Sequence, residues 1–217
     1  MNIKLLFRVI GNLVFIVGLG IAVFTYAPIF YLELIYASTE HVESMDESSI
    51  NDLSMVNSVD DGTEYTNILP FVPSDPEFSI IIDKIAVNAP VVKDVTTVNE
   101  KAYMEALRYG VAHAEGTALP GEIGNMFFFA HSSLNFWQLG PYATVFNLLN
   151  KLEVGDFVIV YYEEKPYFYE IYENEVVGGW NTTPFDVNYY DSVVTLVTCD
   201  PPGSTKDRRV VKAKLME

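Results

Sequence analysis

The chain has almost no cysteine, because Cys199 is the single one among its 217 residues. A lone thiol cannot form an intramolecular disulfide. Free cysteines are often buried and behave as small apolar side chains. Cys199 is therefore either a packing residue or a reactive group, and the residues around it decide between these two roles.

Basic residues are also scarce. The chain holds 13 Lys and Arg against 29 Asp and Glu, which gives a formal net charge of −16 and a pI near 4.4. A protein that binds nucleic acid needs a basic surface to neutralise phosphates. The composition therefore argues against a nucleic-acid partner.

Charged residues are absent from Val9 to Leu32, a stretch of 24 mostly apolar residues. About 20 such residues span a bilayer as a helix, whereas the apolar region of a cleavable signal peptide has about 7 to 15. Lys4 and Arg8 precede the stretch, so the positive-inside rule keeps the N-terminus in the cytoplasm. We expect residues 1–36 to form a cytoplasmic stub and a single-pass transmembrane helix. The following domain would then lie outside the cytoplasm, at the cell membrane.

Lys and Arg are missing from residues 37–79, which hold ten acidic residues among many Ser and Asn. Such a composition cannot bury enough apolar surface to order itself. We interpret residues 37–75 as an acidic flexible linker. Residues 76–217 then form one compact domain of ordinary size.

Short runs rich in Val, Ile, Tyr and Phe recur through this domain and are typical of β-strands. The predicted strands are Phe78 to Ile82, Val91 and Val92, Asn125 to Phe129, Phe157 to Tyr162, Phe168 to Val177, Val193 to Thr198 and Arg209 to Leu215. Helical patterns are short, at Val98 to Tyr109 and at Thr144 to Leu149. The fold class is therefore mainly β, and we expect the strands to close into a barrel.

Cys199 stands at the end of the predicted strand that begins at Val193. The next four residues, Asp200 to Gly203, include two prolines and a glycine and must leave regular strand structure. The thiol is therefore presented at the mouth of a strand, which makes it a candidate nucleophile.

Two histidines of the domain could exchange protons with such a thiol. His131 follows the apolar run that ends at Ala130, so it also stands at the exit of a strand. An imidazole has an unperturbed pKa of about 6.5 and can trade protons at neutral pH. His113 lies in a segment that we interpret as a turn-rich loop, with a structural role or a place at the margin of the site.

Positive charge comes from Arg208 and Arg209, at the start of the last predicted strand. Strand alternation places Arg208 on one face, and Arg209, Val211 and Ala213 on the other, which is the core side. Arg208 therefore projects outward, where a guanidinium could stabilise a developing oxyanion and favour a nearby thiolate. A solvated basic edge strand would explain the same pattern.

Taken together, these residues resemble the sortase family over about Phe78 to Leu215. The resemblance is carried by Phe78 to Val92, Gly116 to Asn125 leading to His131, Leu152 to Asp156, the run Thr195-Leu196-Val197-Thr198-Cys199, and the arginine strand. It implies a closed β-barrel of about eight strands with short helices. One departure is visible, since the family often has Gly before the histidine and this chain has Ala130.

By this resemblance, Cys199 would be the nucleophile, His131 the general acid and base, and Arg208 the residue that stabilises the oxyanion. The candidates to line the substrate groove are Ala130, Thr198, Arg209 and His113. The implied reaction is transpeptidation. The cysteine cleaves an LPxTG-like sorting signal near the C-terminus of a secreted protein, forms a thioacyl intermediate, and passes the acyl group to an amine of a cell-wall cross-bridge or a pilin lysine.

We expect no cofactor and no required metal. Glu115 and Glu122 are two loop carboxylates, whereas a calcium ion takes six to eight oxygen ligands.

Two other functions remain open on the sequence. A cell-wall cysteine peptidase or amidase would also use Cys and His outside the membrane, but those enzymes usually place the Cys before the His, at the start of a helix. An anchored β-domain that binds a surface partner would leave Cys199 inert.

Overall fold

A computed structural model describes residues 3–39, 72–133, 139–179, 181 and 190–216 of the protein. The predicted linker lies outside these ranges apart from its two ends. The strands are β1 Phe78–Ile82, β2 Val87–Val95, β3 Val111–Ala114, β4 Gly124–Phe129, β5 Phe157–Tyr162, β6 Lys165–Gly178, β7 Ser192–Asp200 and β8 Asp207–Leu215. The helices are α1 Ile3–Thr39 and α2 Glu100–Ala106, with single 3-10 turns at Asp83–Ile85 and Leu149–Lys151.

Helix α1 extends three residues beyond the end predicted for the N-terminal segment. Its apolar side chains are exposed where the structure describes them, as at Leu13 and Phe15. Across the described residues, no helix combines the length and the apolarity needed to cross a membrane. The transmembrane anchor stays a prediction.

The eight strands form a closed barrel in the order β1-β2-β3-β4-β7-β8-β6-β5, and β1 pairs with β5 to close it. Two neighbouring pairs are parallel, β2 with β3 and β4 with β7, and the others are antiparallel. Helix α2 provides the crossover that the parallel β2–β3 pair requires. The mainly β, closed barrel predicted from the sequence is confirmed.

Strand alternation builds the barrel core. Inward side chains at every second position, such as Ile80 and Ile82 of β1 and Leu196 of β7, are at most 1% exposed and belong to one apolar cluster. Burying each such side chain stabilises the fold by roughly 1.5–3 kcal/mol. The barrel is therefore a rigid frame on which the strand ends can hold functional groups.

Two local predictions were wrong. The segment that contains His113 was predicted to be a turn-rich loop, but it forms the short strand β3. Gly110 precedes that strand, and a side chain there would collide with the carbonyl oxygen of Pro90 in β2, so glycine permits the close approach. The helix predicted at Thr144 to Leu149 is a series of turns that ends in the 3-10 turn at Leu149–Lys151.

Candidate active site

A groove of about 560 Å³ lies on the outer face of the barrel, across β4, β7 and β8. Its floor is formed by outward side chains of these strands, including the buried Phe127, Val197 and Val210. One wall is the side of α2 that carries Tyr103 and Met104. The floor and this wall are largely apolar, so polar groups at the groove act in a partly desolvated setting.

Cys199 lines this groove near the end of β7, and its thiol is free and half-buried. Its Cα partner across the β7–β8 ladder is Arg208. Directly opposite residues of an antiparallel pair project to the same face. The register therefore sets a guanidinium beside the thiol on the groove side of the sheet.

His131 reaches the same groove from β4. The N–H of Ala130 donates to the Val197 carbonyl at 3.2 Å, which continues the parallel β4–β7 pairing up to the histidine. The hydroxyl of Thr198 donates to the Ala130 carbonyl at 2.8 Å. These two bonds tie the residue before His131 to the strand that carries Cys199.

Burial lowers the pKa of His131 below its ordinary value of 6.5. Its Nε2 atom is buried and has no hydrogen-bond partner within the described part of the chain. The ring is therefore mostly neutral at neutral pH, and no other described group engages its Nε2.

Arg208 projects outward, as the alternation predicts, and lines the groove. Its Nη1 donates to the carbonyl oxygens of Thr205 and Asp207 at 3.0 and 3.1 Å. These bonds hold the guanidinium at the base of the β7–β8 loop. The remaining N–H groups can serve a carbonyl oxygen that gains negative charge.

Two of the four predicted groove residues line the groove, Ala130 and Thr198, and both are buried. Arg209 does not line it. Its side chain lies on the opposite face of β8, where Nη2 contacts Asp200 Oδ2 at 2.6 Å and Nη1 donates to Asn174 Oδ1 at 3.2 Å.

His113 is also outside the groove, because it belongs to β3 and is completely buried. Its Nδ1 accepts a hydrogen bond from the Asp94 N–H at 3.3 Å, so Nε2 carries the proton and donates toward the Ala118 carbonyl at 3.1 Å. Thr117 Oγ1 lies 2.9 Å from the same Nε2. Of the two roles predicted for His113, the structural one fits these contacts, and the groove margin does not.

Replacing His113 with Ala should cost about 2–4 kcal/mol of unfolding free energy at pH 7.5, because it leaves a cavity and unpaired backbone groups. Burial lowers the pKa of His113, so its contribution is present above about pH 6.5 and is lost as the pH falls below that value. The difference from the parent protein should therefore shrink on acidification. Urea denaturation at pH 7.5 and 5.5 measures both effects, with His131→Ala as the control of smaller expected loss. Equal losses for the two variants would contradict this assignment.

The α2 wall of the groove was not predicted. The helical pattern from Val98 to Tyr109 was given no place at the site. Leu107 does line the groove, together with Tyr103 and Met104. The available signal for this wall was the adjacent pair Tyr103 and Met104, an aromatic and a methionine within the predicted helix.

Within the described ranges, no cluster of three or more His, Cys, Asp or Glu side chains is arranged to hold a metal ion. Glu122 is engaged locally, since its Oε2 accepts the N–H of Leu119 at 2.9 Å.

Comparisons with known proteins give one consistent result. The Sortase domain family matches residues 80–216. A solved structure of a Clostridium perfringens sortase D5 transpeptidase is 27% identical, with a TM-score of 0.53, over 82% of this chain and 93% of that chain. Sortase C-1 from Actinomyces oris is 23% identical, with a TM-score of 0.55, over 79% and 99%.

A Clostridium perfringens sortase C, solved with the C-terminal cell wall sorting motif, is 22% identical, with a TM-score of 0.54, over 86% and 99%. The search of curated proteins gave no match. The family match spans more than half of the chain and contains β4, β7 and β8, the three strands under the groove. The chain therefore belongs to the sortase family.

Proposed function

We propose that the protein is a cysteine transpeptidase in which Cys199 is the nucleophile, His131 the proton carrier and Arg208 the oxyanion-stabilising residue. The observation that carries this proposal is that these three side chains line one groove, although 68 residues of sequence separate the histidine from the cysteine. A thiol, an imidazole and a guanidinium together are the groups that acyl transfer requires.

In the first half of the reaction, the sulfur of Cys199 attacks the carbonyl carbon of the Thr–Gly bond in an LPxTG-like signal. The thiol proton passes to His131 and from there to the departing Gly amine. The negative charge that forms on the carbonyl oxygen lies toward the Arg208 guanidinium. The products are a thioester on Cys199 and a free peptide amine.

In the second half, an amine attacks the thioester carbonyl and forms a new amide. His131 takes a proton from the attacking nitrogen and returns it to the cysteine sulfur, so the enzyme is regenerated. A thioester retains the acyl reactivity that an amide lacks, which is why the reaction can proceed in two steps. Water in place of the amine would give hydrolysis.

The shape and chemistry of the groove suit an extended peptide with apolar residues. Met104 and Leu107 from the α2 side and Phe129 from β4 offer an apolar surface beside the three reactive groups. The related sortase C that was solved with a sorting motif supports the same class of substrate for this chain. We propose secreted proteins that carry such a motif as the partners.

We also propose that α1 anchors the enzyme in the cell membrane, with the catalytic domain outside the cytoplasm. The uncharged stretch from Val9 to Leu32 and the exposed apolar side chains of α1 support it. Because Cys199 is the single cysteine, a maleimide that does not cross membranes should label it in intact cells. Labelling only after lysis would contradict an extracytoplasmic domain.

A peptide library tests the activity. The full-length chain is incubated with LPxTG variants and an amine acceptor such as triglycine, and the products are read by mass. We expect one or a few sequences to be cut and joined to the amine. Hydrolysis without transfer for every acceptor would favour a cysteine peptidase, and failure to cut any peptide would remove the transpeptidase proposal.

The pH dependence of kcat/KM provides a further prediction. Because burial lowers the pKa of His131, the acid limb of the profile should have its midpoint below pH 6.5. Initial rates measured from pH 5 to 9 with one cleaved peptide locate that midpoint. An acid limb centred above pH 6.5 would mean that His131 is not the group that titrates there.

A further inference from the structure

The end of β7 carries a charged pair on the face opposite the groove. Asp200 and Arg209 each follow a groove residue directly, Cys199 in one strand and Arg208 in the other. Arg209 Nε donates to Asp200 Oδ2 at 2.8 Å, and Nη2 contacts the same oxygen at 2.6 Å. Both side chains are about one-fifth exposed. The pair therefore backs the Cys199–Arg208 pair from the other side of the sheet.

The Arg209 guanidinium is itself fixed in place. Its Nη1 donates to Asn174 Oδ1 at 3.2 Å, and the amide nitrogen of Asn174 donates to the carbonyls of Leu149 and Leu152 at 2.9 and 2.7 Å. This chain of bonds joins β6, β7 and β8 to the 3-10 turn. A planar guanidinium can serve two such partners at once, whereas an ammonium acts as a point charge.

Asp200 needs this partner for an electrostatic reason. It follows the nucleophile in sequence and stands across the ladder from Asp207, so two carboxylates oppose each other at the strand end. Lys206 approaches Asp207 at 3.7 Å but is strongly exposed. A negative charge near a thiolate disfavours it. Without Arg209, the Asp200 carboxylate would be uncompensated on the residue that directly follows the sulfur that must ionise.

We propose that Arg209 is a positioning residue that holds the Asp200 carboxylate on the face opposite Cys199 and compensates its charge, which keeps the thiol reactive. This inference rests on the proposed role of Cys199 as the nucleophile. Among the described residues, the other charged or titratable groups that share the groove with the thiol are His131, Arg208, Glu100 and Tyr103.

The test is the rate of alkylation of the full-length chain by iodoacetamide between pH 6 and 10, which reports on Cys199 alone because no other cysteine is present. Arg209→Gln keeps a hydrogen-bond donor and removes the charge. We expect it to slow alkylation at pH 7 about tenfold and to move the midpoint of the rate–pH profile upward by about one unit. Asp200→Asn/Arg209→Gln should return the rate to within about twofold of the parent.

Lys212→Gln is the matched control. Lys212 is on the same strand and pairs with Glu173 at 2.7 Å, with a similar degree of burial, but lies four residues from Arg208. The Lys212→Gln variant should have the same alkylation rate as the parent.

The steady-state constants with a cleaved peptide give a second measurement. Arg209→Gln should lower kcat about tenfold and leave KM unchanged, and the double variant should regain the kcat of the parent.

A parent-like alkylation rate in Arg209→Gln would overturn the inference, and so would a double variant as slow as the single one. Alkylation needs no peptide, so this outcome is independent of whether any sorting signal is cleaved. Alkylation therefore tests the role of Arg209, and the peptide library separately tests transpeptidase activity.

Discussion

Replacing Cys199 with Ala is expected to abolish both cleavage and transfer. In the proposed reaction every bond change passes through the sulfur, and removal of the nucleophile of a covalent enzyme costs about 10⁶-fold in kcat. The half-buried thiol makes no hydrogen bond that holds the barrel together among the contacts of the described residues, and Ala occupies less volume. Steady-state rates with the best library peptide should fall below detection, while the melting temperature stays within a few degrees of the parent.

Cys199→Ser gives the matched control for this prediction, since it keeps the shape of the side chain and replaces only the sulfur. It should fold like the parent and lose nearly all activity, because a hydroxyl ionises far less readily than a thiol. If Cys199→Ala cleaves as fast as the parent, Cys199 is a packing residue and the catalytic assignment is wrong.

Replacing Arg208 with Ala should lower kcat by about 10²- to 10³-fold, the loss typical of one oxyanion-stabilising donor. The reason is its place directly opposite Cys199 in the β7–β8 register, with N–H groups to spare beyond the bonds to Thr205 and Asp207. KM should change less than kcat, because the charge that Arg208 meets develops mainly in the transition state. Peptide cleavage measured over a range of peptide concentrations separates the two constants.

Arg208→Lys and Arg209→Ala are the comparison variants. Lys keeps the charge but not the planar fork, so it should restore only part of the rate. Arg209→Ala removes a neighbouring guanidinium from the other face of the sheet and should cost much less than Arg208→Ala. Equal losses for the two alanine variants would contradict the assignment of faces in β8.

Much of the barrel could be predicted from the sequence because its strands carry local signals. The short apolar runs of β1 and β5 predicted the bounds of both strands correctly. Strand β3 has only four residues, with Ala and His among them, and its stability comes from pairing with β2 and β4. That pairing joins segments distant in sequence, and no short pattern reports it.

The candidate site was predictable to a similar degree. Cys199 and His131 could be singled out because each stands at the end of a predicted strand, and Arg208 because alternation points it outward. Their meeting in one groove depends on the parallel β4–β7 pairing, which joins segments almost 70 residues apart. Two groove candidates were misplaced. Alternation along β8 already sets Arg209 on the face opposite Arg208, where it meets Asp200. The burial of His113 depends on the pairing of β3 with β2 and β4, which joins distant segments.

The mass of the enzyme during turnover is the most direct test of covalent catalysis by Cys199. The full-length chain is mixed with a cleaved sorting-signal peptide without an acceptor amine, quenched in acid within one turnover, and digested for mass spectrometry. We predict an added mass equal to the acyl part of the peptide, located on Cys199 and removed when an amine is supplied. Cleavage without any adduct, or an adduct on another residue, would contradict covalent catalysis by Cys199.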